Sequence, residues 1–420
     1  MVKKYCNSIL LSAILVSIII YSGLLQIKRN DTVKGLLNNS EIQILEGKLI
    51  SSPVKTSNGK YYSTILKTKS AITIQNQYSS IYGNIKIFIP SEMVEAFYPG
   101  KLYSSSRKSG AYLWEKGGNY IVEGFLTNNG FYITKCFYGA FNINVIGRIN
   151  YVRALARLQF KRMMYVWRDA GGLFLALLSG SKEYAEEDTI SNFKKAGLSH
   201  ILALSGMHLS LISGLSVFIG KKIKKKKFEY LLRIIFLIFF IWFAGFTPSL
   251  LRAFLCSLML ILASMSGSNK PDMLIILAFS FLLQIMISPN DYNNPGFILS
   301  YLSLAGILLI QNLFEKLFIK FLPVYISNPL SASCSAQLFT MPVSLKLFGS
   351  IAPIGIIASC FISPMITFFI YAGIILFAVC LVFPVLDEAS GIFMNFLYTI
   401  IKYSVALFSK CPLFQINKGI

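Results

Sequence analysis

Residues Gly197 to Gly220 read GLSHILALSGMHLSLISGLSVFIG, and the kind of chain this is turns on them. About 20 apolar residues rising about 1.5 Å each span a bilayer core, and this run is long enough. It also holds both histidines of the protein, His200 and His208, with Ser199, Ser205, Ser210, Ser213 and Ser216. Taken as one continuous helix at about 100° per residue, it groups Ser205, His208 and Ser216 within one quadrant. Gly206, Ser210 and Gly214 follow at i, i+4, i+8 on the next strip, a spacing that admits a neighbouring helix backbone. The stretch predicts a membrane helix with a packing seam beside a polar lining. Ionisable groups inside a membrane are costly, so function is the first hypothesis for His208. Two other readings stay open. One is hydrogen bonding to a neighbouring helix; the other is Ser205 activated as a nucleophile by His208, without an orienting carboxylate nearby in sequence.

Outward from this stretch, composition points the same way. The 420 residues are 55% hydrophobic and 14% charged, with a mean hydropathy of +0.61. That describes a polytopic α-helical membrane protein with room for one soluble module. A net charge of +22 is large for so apolar a chain. It favours anionic membrane lipids or a polyanion as partners. Seven cysteines are scattered without a C-x-x-C pair, and only Cys136 falls clearly in the soluble module. That module has no internal disulfide, and no metal site is expected.

Before the central stretch, Ser8 to Leu25 reads as an uncleaved anchor within residues 1–29. Lys3 and Lys4 place the N-terminus in the cytoplasm, with Lys28 and Arg29 weakening the contrast. From Asn30 to Ile149 the composition shifts to β-rich runs: Glu41–Ile50, Tyr61–Thr68, Ala71–Gln75, Asn84–Pro90, Lys101–Ser106, Tyr120–Phe125 and Phe131–Tyr138. Ser57-Asn58-Gly59 and Asn128-Asn129-Gly130 read as hairpin turns. Strands at this spacing predict a small extracytoplasmic β-barrel, an oligonucleotide-binding (OB)-like fold being one candidate. Twelve lysines and arginines face seven acids between Asn30 and Val145, a mild basic excess. Residues 150–196 read as interfacial linker helices. In the first, Asn150 to Arg168, Arg153, Arg157 and Lys161 recur at i, i+4, i+8, predicting a helix on the lipid surface or in contact with a polyanion. Glu186, Glu187 and Asp188 then open a short helix that Lys194 and Lys195 close.

After it, Lys221 to Lys227 (KKIKKKK) marks a cytoplasmic end, so residues 30–149 lie outside. Residues 197–420 form the multi-span domain, with spans at Phe228–Phe246, Pro248–Ser266, Met273–Ser288 and Gly296–Gln311. Thr247-Pro248 and Asn294-Pro295 are good helix starts. Arg252 lies about one turn inside its span and snorkels or lines a path. Ser300 and Ser303 share a face, and Ser333, Gln337, Thr340 and Ser344 form a polar stripe that Pro342 interrupts. Ile351 to Phe383 is too long for one span and is expected to break at Pro353 and Pro364; Met394 to Ser409 reads as interfacial.

Several of these motifs, in this order, resemble the competence domain of the ComEC family. Leu178-Ser179-Gly180-Ser181 looks like its leucine–small–glycine turn. Phe193 to Gly206 (FKKAGLSHILALSG) looks like its aromatic-x-x-x-Gly-Leu-x-His signature with the closing Ser-Gly pair, and His208 like its second histidine. Thr247 to Ala253 (TPSLLRA), Asn294 to Leu302 (NPGFILSYL) and Ala336-Gln337 with Met341-Pro342 are similar to three further blocks, so the likeness covers roughly Gly171 to Phe369. The resemblance implies an inner-membrane channel passing single-stranded DNA inward during natural transformation. His200, Ser205, His208, Arg252, Ser300, Ser303, Gln337 and Thr340 are the residues expected at its path or gate. The implied partners are an extracytoplasmic DNA receptor, a separate nuclease, a cytoplasmic ATPase or single-strand-binding protein, and a second copy of the chain. Many relatives continue into a metallo-β-lactamase-like hydrolase. Two histidines in one apolar helix cannot supply its two-metal site, so neither cofactor nor catalytic residue is expected. A membrane-embedded hydrolase using Ser205 and His208, or a transporter of another anion, is the alternative.

Overall fold

The computed structural model describes residues 8–22, 42–56, 58–75, 77–96, 112–223, 226–267, 271–412 and 414–415, with the side chains of 218–223 and 414–415 left aside. The expected strand Lys101–Ser106, the flanking charges Lys3, Lys4, Lys28 and Arg29, Ser57 of the first turn, and part of the Lys221–Lys227 run lie outside the described residues.

The first helix, α1 (Ser8–Tyr21), is apolar all round. The β region follows as β1 (Ile42–Leu49), β2 (Val54–Lys55), β3 (Tyr61–Thr73), β4 (Tyr78–Ser79) and β5 (Gly83–Pro90), a short α2 (Ser91–Glu95), then β6 (Gly118–Thr127) and β7 (Gly130–Phe141). The runs expected at Tyr61–Thr68 and Ala71–Gln75 are one strand. The sheet is mixed, and its pairings run in a ring: β1 with β3, β3 with β5, β5 with β7, β7 with β6, and β6 with β1. Only the short β5–β7 pairing is parallel. Register shifts in β1 and β6 sit beside Gly47 and Gly124. A Cβ would lie 2.5 Å from the Lys67 carbonyl oxygen at the first and 2.0 Å from that of Tyr132 at the second. Such bulges with glycine are how a sheet curls. Leu45, Leu49, Tyr62, Leu66, Ile87, Val122 and Phe131 fill the interior, as alternation along the strands requires.

The remainder is helical: α3 (Val145–Val166), α4 (Arg168–Ser179), α5 (Glu187–Lys195), α6 (Ser199–Leu202), α7 (Gly206–Ile223), α8 (Lys226–Ala244), α9 (Pro248–Met265), α10 (Met273–Ile287), α11 (Pro295–Phe318), α12 (Val324–Phe348), α13 (Gly355–Val382) and α14 (Asp387–Ser409). A two-stranded pair, β8 (Ser350–Ile351) and β9 (Phe414–Gln415), ties the end of α12 to the end of the chain's described part. Pro248–Met265, Pro295–Phe318, Gly355–Val382 and Pro384–Ser409 are long and apolar enough to cross a membrane. This fits a polytopic membrane protein. Thr247 and Asn294 cap α9 and α11 by accepting from the Leu250 and Gly296 N–H groups, 3.3 and 2.8 Å away. α1 lies against α10, and its Tyr21 hydroxyl donates to the Tyr292 carbonyl at 3.1 Å.

Five expectations need correction. The central stretch is not one helix: Ala203 to Ser205 separate α6 from α7. Pro342 does not interrupt α12, and Pro364 does not break α13. The segment expected to be interfacial is part of α14, which with the turn before it is long and apolar enough to cross a membrane and packs one face against α4, α5 and α13. Finally, α3 starts at Val145, where Asn144 accepts the Gly147 N–H at 2.8 Å.

Candidate functional site

The break in the central stretch is made by its own residues. Ser205 is the N-cap of α7: its Oγ accepts the Met207 N–H at 3.3 Å. His208, in the first turn, reaches back so that Nδ1 accepts the Ser205 N–H at 3.2 Å. This is a capping box with histidine in the place usually held by Glu or Gln. A backbone N–H only donates, so Nδ1 is bare and the ring proton sits on Nε2. His208 is 1% exposed. Its Nε2 finds no hydrogen-bond partner among the described residues. An unpaired buried donor is costly, and such groups call for an explanation. The Ser205 Oγ also lies 3.3 Å from Nδ1. That nitrogen already takes the backbone N–H, so the pair serves as a helix cap.

α9 brings a cation to the same helix end. A Cβ on Gly206 would lie 3.1 Å from the Arg252 Nη2. The arginine does not snorkel: its Nη1 donates to the Ser300 carbonyl on α11 at 2.6 Å, and its Nε has no partner among the described residues. The Ser303 hydroxyl donates to the same carbonyl at 3.1 Å. One turn earlier, Ser249 Oγ donates to the Gly296 carbonyl at 2.9 Å. So TPSLLRA and NPGFILSYL are pinned to each other, and both to the start of α7. Ser205, His208, Arg252, Ser300 and Ser303 are brought together.

The others are not all there. Gln337 donates to the Ala352 carbonyl at 3.2 Å, and Ala352 packs on Gly197, 3.0 Å from where its Cβ would be. Gln337 therefore supports the start of the broken helix from behind. Thr340 bonds back to the Ala336 carbonyl of its own helix at 2.9 Å. His200 is exposed on α6. The buried face of α12 is Ser327, Ser331 and Ser335, a small-residue strip against α11, while Ser333 of the polar stripe meets the Ser359 hydroxyl of α13 at 2.8 Å.

Arg153, Arg157 and Lys161 are a clear correction: they face neither lipid nor a polyanion. They are 7%, 5% and 6% exposed, because α3 lies between the β region and the helices. Arg153 Nε donates to the Trp242 carbonyl at 2.6 Å, and Arg157 Nη1 to that of Phe243 at 3.0 Å, at the negative end of α8. On the other side Arg157 Nε meets Glu115 Oε1 at 3.0 Å, and Lys161 Nζ meets Glu183 Oε1 at 3.0 Å. Burial alone would raise the Glu115 carboxyl. Arg157, then Lys161, the Ser52 hydroxyl and Arg153, outweigh it and hold the group at about 2.

Sequence reasoning missed Glu115, Glu183, Gln284 and Tyr301. Fully buried Gln284 takes the Tyr301 O–H on Oε1 at 3.0 Å and donates to the Pro248 carbonyl at 3.0 Å and Asp291 at 2.9 Å. An amide alone in the apolar run of α10 was the available signal.

Residues 177–419 match the family described as "Competence protein". The chain is also similar to "ComE operon protein 3" of Bacillus subtilis (strain 168), 26% identical over 207 residues. These are 49% of this chain and 26% of that protein, so the chain spans about a quarter of its relative's length. No solved structure matches. The matched region holds every motif gathered at the start of α7, and the chain belongs to the competence protein family.

Proposed function

We propose that this protein passes single-stranded DNA across the cell membrane in natural transformation, acting as a channel and not as an enzyme. One observation carries the reading. Inside an apolar helical region, the start of a broken helix holds a histidine whose Nε2 has no hydrogen-bond partner among the described residues, and an arginine with an unpartnered Nε reaches Gly206 of the same helix start. Donors and a cation at a helix N-terminus are what a phosphodiester needs on leaving water. Few such groups suit conduction, since tight binding would stop the strand. His200, Ser205, His208, Arg252, Ser300, Ser303, Gln337 and Thr340 line or support that path.

The ring of strand pairings supports an OB-like barrel over residues 30–149, outside the membrane, with the N-terminus and Lys221–Lys227 inside. An outside receptor and nuclease would deliver the strand. A cytoplasmic ATPase or single-strand-binding protein would give direction, and two copies could widen the path. Cells given DNA labelled differently on its two strands provide the test. Only one strand should become protected in the cytoplasm, and none in a deletion strain. Entry of both strands as intact duplex would overturn the reading.

A further inference from the structure

Lys48 on β1 and Lys67 on β3 stand directly opposite each other in the antiparallel ladder. Like charges so placed repel. Lys116, in the turn before β6, joins them around one pocket of about 200 Å³, with Gly117 and Asn150 in its wall. None of the three lysines forms an ion pair with a carboxylate among the described residues. Burial and the nearby Arg153 hold the Lys116 ammonium below its usual range, as expected of a cation lacking its counter-charge. The wall is fixed. Gly117 has φ +93°, its N–H donates to the Leu49 carbonyl at 2.9 Å, and Asn150 fills the space where its Cβ would be.

Beside the pocket the surface is apolar. Val145, Ile146, Ile149 and Val152, on the first half of α3, are 47% to 73% exposed. Exposed Phe246 carries the Lys116 ammonium over its ring, 5.7 Å from the centroid. Phe246 follows α8, whose Leu231, Ile235, Ile238 and Phe239 are exposed at i, i+4, i+7, i+8. That is the stripe of a helix facing hydrocarbon. The apolar face of α3 thus continues a lipid-facing surface, with three cations at its edge that lack an ion pair among the described residues.

We propose that this junction holds an anionic phospholipid, its phosphate on Lys48, Lys67 and Lys116 and its acyl chains along Val145, Ile146, Ile149 and Phe246. A nucleic-acid strand also offers phosphate, but it has no use for the apolar face. The bound lipid seats the β region on the bilayer.

The full-length protein, reconstituted in phosphatidylcholine with phosphatidylglycerol and extracted into mild detergent, is examined by native mass spectrometry. One phosphatidylglycerol should stay with each chain. Lys48→Gln, Lys67→Gln and Lys116→Gln together should lower its retention on the order of tenfold. Arginine at the same three positions should restore it, and Lys60→Gln, Lys86→Gln and Lys135→Gln together should leave it unchanged. In otherwise unaltered protein, a benzophenone amino acid at Ile146 should crosslink to phospholipid. Equal retention in the two glutamine triples would overturn the proposal. So would crosslinking of Ile146 to a second copy, or displacement of the bound lipid by a single-stranded oligonucleotide.

Discussion

Two sets of buried polar groups differ in one respect. Along α3, the cations Arg153, Arg157 and Lys161 each have an acceptor: a carbonyl at the end of α8, Glu115, or Glu183. At the start of α7, His208 Nε2 and Arg252 Nε have none among the described residues. Pairing removes the reason to suspect a ligand, and its lack supplies one. The basic helix that looked like a surface for lipid heads or a polyanion is a strut. The apolar stretch expected to carry a polar lining holds groups left without partners among the described residues.

The largest effect should come from breaking the strut. Glu115→Gln leaves Arg157 buried without its counter-charge and should cost about 3–5 kcal/mol, read as lost folded protein or a lowered melting temperature in detergent. Replacing both partners, Glu115→Leu with Arg157→Met, should recover most of that loss. If the single variant melts like the unaltered protein, the strut is not what joins the two regions.

Acid sharpens the same side of the comparison. The folded state holds Glu115 at about 2 against an ordinary 4.5. Its contribution is therefore complete above pH 4.5 and lost as pH falls through about 2. Melting temperature followed downward from pH 7 should begin to fall near pH 4.5, and less so in the double variant. An identical profile in both would sever the link to Glu115.

What was legible in the sequence follows this division. Strand β3 and the first half of β6 alternate in the usual way, and the side chains of Thr247 and Asn294 announce their helices. Local chemistry decides such features. The strut was not legible, since Glu115 and Glu183 stand 42 and 22 residues from the cations they meet. A periodic row of arginines looks the same whether water, lipid or a distant carboxylate lies opposite. The site residues were visible as polar groups in apolar runs, but the break was not. Apolar continuity through Ala203 and Leu204 hid the cap that Ser205 makes.

Smaller effects test the site side. His208→Ala removes the acceptor for the Ser205 N–H and should cost about 1 kcal/mol, while His208→Gln should keep the cap and most of the stability. Thermal melting of the two variants checks this, and equal losses would deny the capping box. Smallest of all, Lys402→Gln breaks a half-exposed pair with Glu186 at 2.7 Å and should cost under about 1 kcal/mol. A loss as large as that of Glu115→Gln would show that pairing, and not burial, sets the scale.

Entry of labelled DNA into cells carrying His208→Gln, compared at equal membrane abundance with unaltered protein, tests the central claim most directly. Glutamine can serve the cap but does not reproduce the imidazole Nε2–H in the same place. Uptake should fall to the background of a deletion strain while the folded protein remains at its normal level. Uptake that stays normal, or that falls only in step with the amount of folded protein, would mean that His208 holds a helix end and nothing passes by it.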